Sequence, residues 1–426
     1  MKNLVFIFLF FLVLGPVLDT PLGILFDPIL IISLFMILYF KINDKKYFIN
    51  NNLELIHKVI YLPLIYVLLI SIPISTIYND LSFESFFSIS RCLKIIITFY
   101  GSIAIVTLYK EKFSENFFDI MCKHLLYIIL INALIMFLQL FIPEFREFTS
   151  SYLFNNVSDI HFQTLKRVGG LYLSGGALAS VFQGLGLILI PYLSKSNRIN
   201  LFETILYFII ILFSIVITGR SGLFLLPISI ILFLKNSAFG VKITVLSSLS
   251  IIIFYVDEFF YFIESIAFDT ENELLRWNLY RFLRFSNENS DLADTFNTIS
   301  NKFSFPDDLK ILFFGNLGFS NLKENIMVSD MGWNLVLYKY GLLGIIFYYI
   351  PFFTVLFISF KKKNIDKLKS LFIKLLIFSF LLFEFKEQII YARNGYSILL
   401  LIIISYLLTD HKEHFSEKYN QLNITK

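Results

Sequence analysis

Long uninterrupted runs of apolar residues are the feature that most constrains how this chain can fold. Two of them are Gly23 to Phe40 and Asn200 to Ile217. A helix of about 20 predominantly apolar residues is long enough to cross the hydrocarbon core of a bilayer. Charged residues make up only 16% of the 426 positions and the mean hydropathy is +0.73, whereas soluble globular proteins carry about 25% charged residues. The sequence therefore predicts an all-α polytopic membrane protein and excludes a soluble domain.

Apolar runs separated by polar breaks predict twelve transmembrane helices. The predicted spans are 4–16, 23–41, 58–75, 92–109, 124–142, 171–192, 201–218, 221–235, 241–256, 332–360, 370–385 and 394–409. They divide the chain into helices 1 to 9 (1–256), a large outer loop (257–331), and helices 10 to 12 with a cytoplasmic tail (332–426). No small-residue cleavage site follows the first run, so we expect an uncleaved first helix. Spans seven and eight, separated by Gly219-Arg220-Ser221, are alternatively one broken element.

The distribution of lysine and arginine predicts the orientation. With a cytoplasmic N-terminus every inside loop is basic, as the positive-inside rule requires, and these loops contain almost only lysine. The outer face instead carries mostly arginines, namely Arg91, Arg146, Arg167, Arg220, Arg276, Arg281, Arg284 and Arg393. Because a guanidinium binds phosphate or carboxylate oxygens in pairs, we expect this face to recognise an anion. The net charge of +4 is too small to indicate nucleic-acid binding.

The large outer loop contains a predicted amphipathic helix over residues 271–285, where leucine and phenylalanine recur at helical spacing. At 100° per residue, Arg276, Arg281 and Arg284 fall within an arc of roughly 140° and can face one direction. A solvated basic face is the usual explanation of such a cluster. Here, however, the cluster lies on the side of the membrane where basic residues are scarce, which favours anion binding.

Three further motifs lie at the predicted outer ends of spans. Arg167-Val168-Gly169-Gly170 opens span six, and Arg220 lies between two glycines, Gly219 and Gly222. Small residues admit a close approach of backbone or ligand, although ordinary helix packing in membranes uses them too. Likewise, an interfacial arginine can simply bind lipid phosphate. Asp330 precedes span ten, where a partly desolvated carboxylate suits a general base, although aspartate is also a favoured helix N-cap.

Metal and nucleotide chemistry are not indicated by the sequence. The acidic pairs Asp257-Glu258 and Asp307-Asp308 have no histidine near them, and no zinc-type spacing of cysteine and histidine occurs. A glycine-rich phosphate loop with its lysine is also missing from the sequence. We therefore expect neither a metal nor a cofactor.

The order of these motifs resembles the O-antigen polymerase (Wzy) family, within the wider O-antigen polymerase and ligase superfamily. The motifs that carry the resemblance are Arg167 with Gly169, Arg220, Arg276 to Tyr280, Phe314 to Gly318, Ser329 to Trp333, and Tyr340-Gly341 with Gly344. Together they cover most of residues 160–360. Two departures concern the first two motifs: Gly219 stands where the family often has serine, and the asparagine-proline tract after the first motif is missing.

The resemblance implies a GT-C type membrane glycosyltransferase that works on the periplasmic face of the inner membrane without nucleotide sugars. Its donor is a growing glycan on undecaprenyl pyrophosphate, and its acceptor is one repeat unit on the same lipid. A chain-length regulator protein is a further implied partner. The implied general base is Asp330. The implied substrate-binding residues are Arg167, Arg220, Arg276, Tyr280, Arg281, Arg284 and Arg393.

Three other readings stay open. The O-antigen ligase of the same superfamily has a histidine where Asp330 stands, and none of the five histidines lies in the large loop. A lipid-linked glycan flippase, which is a transporter, typically shows repeats, broken helices and ionisable residues within its spans. The sequence shows no repeat and most of its charges lie at helix ends. A membrane scaffold without catalysis is disfavoured by the arginine-rich outer face.

Overall fold

A computed structural model describes residues 2–16, 27–78, 83–152, 168–171, 176–219, 221–235, 305–316, 332–361, 366–385 and 393–410, with the single residues 261, 265, 269, 270, 276 and 390. For a few of these, Arg393 among them, the backbone alone is described. Within this part of the chain the structure is helical and contains no strand.

The α-helices of the described part are α1 (Lys2–Val13), α2 (Pro28–Ile42), α3 (Asn51–Val59), α4 (Leu62–Tyr78), α5 (Phe83–Phe113), α6 (Phe117–Phe141), α7 (Pro143–Tyr152), α8 (Ala177–Lys195), α9 (Leu201–Thr218), α10 (Leu226–Leu234), α11 (Leu309–Phe314), α12 (Gly332–Lys361), α13 (Lys367–Phe383) and α14 (Arg393–Leu407). Short 3-10 helices cover Ser114–Asn116, Ser221–Leu225 and Leu408–Asp410.

Five stretches are long and apolar enough to cross a bilayer: Asn51–Ser71, Ser88–Phe141, Leu178–Lys195, Leu201–Thr218 and Gly332–Lys361. The second contains both α5 and α6, so the five correspond to predicted spans three to seven and ten. The chain is therefore a helical membrane protein. The total of twelve spans stays a prediction, and the ninth predicted span (241–256) lies outside the described residues.

Helix α9 has the predicted bounds because local signals define both of its ends. Asn200 is the N-cap: its side chain accepts from the Glu203 backbone N at 2.8 Å, while the Glu203 carboxylate accepts from the Asn200 backbone N at 2.8 Å. Such a reciprocal capping box satisfies two of the N–H groups left unpaired at a helix start. Gly219 follows Thr218 as the C-cap.

The tenth predicted span differs from the expectation, because α12 is two helices joined at Gly341. This residue has φ 69° and ψ −177°, a conformation that is essentially restricted to glycine. The second half, residues 342–361, is about 30 Å long at 1.5 Å per residue, which matches the hydrocarbon core. This half alone is therefore long enough to cross the hydrocarbon core, and residues 332–340 form a separate short helix before the break.

Helix α11 packs against α12 at this break through two glycines. A Cβ on Gly341 would overlap the backbone of Phe313, and a Cβ on Gly315 would overlap the carbonyl of Lys339. The backbone N of Asn316 also donates to Tyr338 O at 2.9 Å. Leu309, in the first turn of α11, is 67% exposed.

An ion-pair cluster lies at the other end of the bundle, which is cytoplasmic in the predicted orientation. The carboxylate of Asp119 accepts from Tyr192 Oη at 2.5 Å and from Arg198 Nη2 at 3.1 Å, and Lys369 Nζ lies 3.7 Å away. This cluster joins α6, the end of α8 and the start of α13. The end of α13, by contrast, contacts the start of α12: Trp333 N donates to Glu384 O at 3.0 Å.

Candidate functional site

Among the predicted site residues, Arg276 is the one whose side chain is described. Asp330, Arg167, Arg220, Tyr280, Arg281 and Arg284 lie outside the described residues, as does most of the predicted helix 271–285. The exposed Arg276 folds back on its own segment, where Nε and Nη2 donate to Thr270 O at 3.1 and 2.6 Å. For the other predicted site residues, the structure describes the neighbouring segments of the chain but not the side chains themselves.

The segment that follows Arg167 is held by two amide side chains of α6. Gln139 accepts from Gly170 N at 2.9 Å and donates to Gly170 O at 3.1 Å. Asn132 Oδ1 accepts from Leu171 N at 2.8 Å. Both amides are buried, and Gly170 has φ +67° in a place where an added Cβ would overlap the side chain of Asn132. A buried turn without such partners would leave backbone groups unsatisfied, so these amides fix its conformation.

The turn that contains Arg220 is fixed by one serine of α8. Ser180 Oγ donates to Gly219 O at 2.6 Å and accepts from Gly222 N at 2.8 Å. A Cβ on Gly222 would overlap the carbonyl of Ser180. The turn and α8 are thus in backbone contact on both sides of Arg220, which only small residues permit.

These two segments meet around Met136. Val168, Ile217, Met136 and Leu140 form one buried apolar cluster, and Gln183 Nε2 lies 3.3 Å from the Met136 sulfur. We call this region the amide junction; it comprises Asn132, Gln139, Ser180 and Gln183 with residues 168–171, 218–219 and 221–222. The structure therefore brings the neighbourhoods of Arg167 and Arg220 together.

The segments that adjoin Asp330 and Arg393 meet at Glu384, a fully buried carboxylate at the end of α13. Its backbone O accepts from Trp333 N at 3.0 Å, three residues after Asp330. Its Oε1 accepts from Ile390 N at 2.5 Å, three residues before Arg393. Its Oε2 accepts from Tyr349 Oη at 2.7 Å. Glu384 therefore fixes the ends of both segments at once.

The amide junction and Glu384 lie at the same end of the bundle. Phe224, in the 3-10 helix that follows Arg220, has its ring 6.5 Å from that of Phe383, the neighbour of Glu384. The chain segments next to four predicted site residues, Arg167, Arg220, Asp330 and Arg393, therefore converge. Sequence position does not show this, because these four residues span more than half of the chain.

A cleft between α4, α5 and α12 adjoins Glu384. We call it the arginine cleft; its walls include Tyr66, Arg91, Cys92, Tyr340, Gly344 and Tyr348. Arg91 is half-buried and lies within electrostatic range of Tyr348, Tyr340 and Glu384. Tyr66 Oη donates to Tyr340 O at 2.6 Å and Phe314 O at 3.2 Å, so its ring is a fixed wall. The free volume of about 10 Å³ accommodates roughly one water molecule.

The sequence reasoning missed the contribution of three kinds of residue here. Arg91 entered only as one of the outer cations, and Glu384 and the α6 amides were not singled out. Each still carried a signal, because Glu384 is an acid at the end of an apolar run and Asn132 and Gln139 are amides within one. In a membrane span, buried polar groups must be satisfied internally and are expected to hold structure or function.

Within the described ranges, no group of three or more histidine, cysteine, aspartate or glutamate side chains is placed to hold a metal ion. Compared with protein-family models, with curated proteins and with solved structures, the chain gives no significant match to any of them. The resemblance to O-antigen polymerases therefore rests on the order of motifs in the sequence and stays a prediction.

Proposed function

We propose that this chain is an O-antigen polymerase, a metal-independent glycosyltransferase of the periplasmic face of the bacterial inner membrane. It transfers a growing glycan from undecaprenyl pyrophosphate to a lipid-linked repeat unit. The observation that supports the proposal is the convergence of the segments adjoining Arg167, Arg220, Asp330 and Arg393 at one end of the bundle. The proposed glycosyl transfer requires a carboxylate and several guanidiniums near one another. The converging segments adjoin Asp330 and three of the arginines.

In the proposed reaction Asp330 takes the proton of the acceptor sugar hydroxyl. The acceptor oxygen then bonds to the anomeric carbon of the donor glycan, and the bond between that carbon and the pyrophosphate oxygen breaks. Negative charge develops on the departing pyrophosphate, where Arg167, Arg220, Arg276, Arg281, Arg284 and Arg393 stabilise it. Preorganised cations aimed at developing charge are an effective source of catalysis and need no metal.

The rigidity of the described segments supports these roles. Catalytic groups act best when the elements that carry them are fixed by packing and hydrogen bonds. The turn at Gly219 and Gly222 is bound on both sides by Ser180, and Gly170 by Gln139.

The test is a surface-polysaccharide ladder on a gel, in a strain deleted for the gene and complemented with variants. Wild type is expected to restore the full ladder, and Asp330→Asn to leave lipid A–core with a single repeat. Asp307→Asn makes the same chemical change at an exposed position of the same loop and is expected to behave like wild type. A full ladder from Asp330→Asn, at normal protein levels in the membrane, rules out the general-base role.

A flippase is the second candidate, because two observations favour it. Helix α12 is broken at Gly341 and Arg91 lies within a candidate span, and both features are typical of transporters. The same gel separates the two functions. Loss of a polymerase leaves the single repeat on lipid A–core, whereas loss of a flippase, or of a ligase, removes that repeat as well.

A further inference from the structure

We propose that α7 is a membrane-surface helix, which lies in the outer boundary of the bilayer and sets the level of the chain segment that follows Arg167. Its partner is the lipid surface, which it contacts through Phe148 and Tyr152. The position of α7 in the membrane does not depend on the proposed function. The effect on the segment after Arg167 does rest on that function, since Arg167 is a substrate-binding residue only there.

Helix α7 turns back against the end of α6 instead of continuing it. In one straight helix, Gln139 and Thr149 would lie about 15 Å apart along the axis, at 1.5 Å per residue. Their side chains are instead hydrogen-bonded, with Gln139 Nε2 donating to Thr149 Oγ1 at 2.9 Å. The direction changes at Ile142, whose backbone is extended (φ −122°, ψ 96°) and which precedes Pro143. Helix α7 therefore lies beside the last turn of α6.

The charged residues of this region place α7 at the level of the membrane surface. Lys123 is the last charged residue of α6, and the next one along the chain, Glu144, lies in the first turn of α7. The part of α6 between them, residues 124–141, is about 27 Å long, close to the thickness of the hydrocarbon core. Lys123 itself donates to Arg198 O at 2.8 Å, next to the ion-pair cluster at the cytoplasmic end. Helix α7 therefore begins where the hydrocarbon ends on the outer side.

The exposed apolar surface of α6 continues along the chain onto α7. On α6, Leu134 and Phe141 are 53% and 54% exposed, and in a membrane-spanning helix such side chains contact lipid tails. The next residue, Ile142, is 42% exposed. On α7, Phe148 and Tyr152 are each 59% exposed, and their rings lie 4.9 Å apart. Lipid that covers the first surface also covers the second, and tyrosine is enriched at this level of a membrane.

The remaining sides of α7 suit a helix between protein, lipid and water. Glu147 and Ser150 are exposed and lie about 150° around the helix from the two aromatic rings. Thr149 is buried against α6. The sequence of α7 contains one cation, Arg146, which is half-buried. Burial of apolar side chains, rather than attraction to anionic lipid, is therefore what holds α7 at the surface.

One amide side chain connects α7 to the segment after Arg167. Gln139 Nε2 donates to Thr149 Oγ1 at 2.9 Å and to Gly170 O at 3.1 Å. An amide NH₂ has two hydrogens, so both bonds exist together. The Thr149 hydroxyl donates to Arg146 O at 2.9 Å, which leaves its oxygen oriented to accept from Gln139. A displacement of α7 therefore displaces Gly170, three residues after Arg167.

The first experiment measures the depth of α7 by spin labelling of the full-length protein in phosphatidylcholine vesicles. A nitroxide is attached to Phe148→Cys or to the matched control Ser150→Cys, two residues away on the water side. Collisions with oxygen, which concentrates in lipid, are compared with collisions with a water-soluble nickel chelate. We expect the ratio of the two rates to favour oxygen several-fold more at position 148. The native Cys92 and Cys122 are buried, and the parent protein measures any label that they take up.

Three results overturn the position of α7. Equal access of the nickel chelate to both labels would place α7 in water. Protection of the label of Phe148→Cys from both reagents would mean that a second copy of the chain, or another protein, covers the aromatic pair. A preference for oxygen that appears only when phosphatidylglycerol is added would contradict the apolar driving force.

The second experiment tests the connection to Arg167 with the polysaccharide ladder. Phe148→Glu puts a charge on the lipid-facing side and is expected to reduce the polymer about tenfold or more, because a small displacement of a substrate-binding group is costly. Phe148→Leu stays apolar and is expected to retain the ladder. Ser150→Glu introduces the same charge on the water side and is the matched control, expected to behave like wild type.

Thr149→Val separates the connection from the lipid contact. It removes the acceptor of the Gln139 bond and leaves Phe148 and Tyr152 in place. We expect less polymer at normal protein levels in the membrane, with the label of Phe148→Cys still in lipid. A full ladder from both Phe148→Glu and Thr149→Val would overturn the effect of α7 on the Arg167 segment.

The two proposals fail separately, because the spin-label measurement does not depend on polymerisation. A lipid-exposed label in a protein whose wild-type gene restores no ladder retains the membrane-surface helix and removes the polymerase. A restored ladder together with a label in water retains the polymerase and removes the membrane-surface helix.

Discussion

The amide junction and the arginine cleft both contain polar groups among apolar helices. They differ in the charge of these groups and in the contacts that the groups make. At the amide junction the buried polar side chains are neutral, and they hydrogen-bond mainly to backbone, as Gln139 does to Gly170 and Ser180 to Gly219 and Gly222. At the arginine cleft the polar groups are a guanidinium and a nearby carboxylate among aromatic rings. The first region holds backbone in place, and the second places charge beside an opening.

The comparison shows that, in this protein, the polar residues that hold backbone segments in place differ from those that carry charge. Neutral amides are cheaper to bury than ions, so they suit positions whose task is to fix a turn. A buried charge is retained only where it is paired or used, which makes Arg91 and Glu384 candidates for function. Four substitutions, ordered from the largest expected effect to the smallest, test whether this division holds.

The largest effect is expected from Gly341→Ala, which supports the arginine cleft. The residue needs a backbone conformation open only to glycine, and an added Cβ overlaps the backbone of Phe313. Strain and overpacking together should cost about 4 kcal/mol, measured as a large fall in the thermal midpoint in detergent. Gly186→Ala is the control, since its Cβ meets only the side chain of Ile211, at 3.1 Å. Equal midpoints for the two variants would show that α12 is not locked at Gly341.

Glu384→Ala should come next, at about 3 kcal/mol, because it leaves two buried donors, Tyr349 Oη and Ile390 N, without their charged acceptor. Tyr349→Phe removes one of these hydrogen bonds and should cost only about 1 kcal/mol. Chemical denaturation of both variants gives the loss in free energy of unfolding for each, and these two losses are compared. Similar losses of stability would mean that the charge of the Glu384 carboxylate contributes little, so that the two regions do not differ in this respect.

Gln139→Ala tests the amide junction and should cost about 2 kcal/mol, since the N–H and the C=O of Gly170 lose their side-chain partner. We expect the midpoint of thermal unfolding in detergent to fall. Ser150→Ala, on the exposed side of α7, is the control. An unchanged midpoint in Gln139→Ala would mean that its two hydrogen bonds to Gly170 do not stabilise the turn.

Met136→Leu should have the smallest effect, less than about 1 kcal/mol, because the two side chains have similar volumes. The Met136 sulfur lies 3.3 Å from Gln183 Nε2 and 3.6 Å from Asn132 Nδ2, but sulfur is a weak acceptor. A change in the thermal midpoint as large as that of Gln139→Ala would show that these contacts contribute more than packing does.

Much of the local structure could be read from the sequence. The bounds of α9 agree with the predicted span 201–218, because an apolar run is flanked directly by an N-cap, Asn200, and by a terminal glycine, Gly219. The break in α12 was not predicted, because Gly341 breaks the helix through its contact with Phe313 on α11, a contact that composition does not reveal. The motifs around Arg167 and Arg220 were recognised, but not the side chains that hold them. Asn132 and Gln139 lie more than 30 residues before their backbone partners.

By itself, the sequence determined that this chain lies in a membrane as α-helices, because apolar runs of about 20 residues match the hydrocarbon core and a helix satisfies its own backbone hydrogen bonds there. It also identified arginine, on the predicted outer face, as the residue type suited to bind an anion. Only the tertiary structure decided that the segments next to Arg167, Arg220, Asp330 and Arg393 converge, and that Arg91 and Glu384 belong with them. The physical reason is that hydrogen bonds and ion pairs act over about 3 to 4 Å in space, whatever the separation of their partners along the chain.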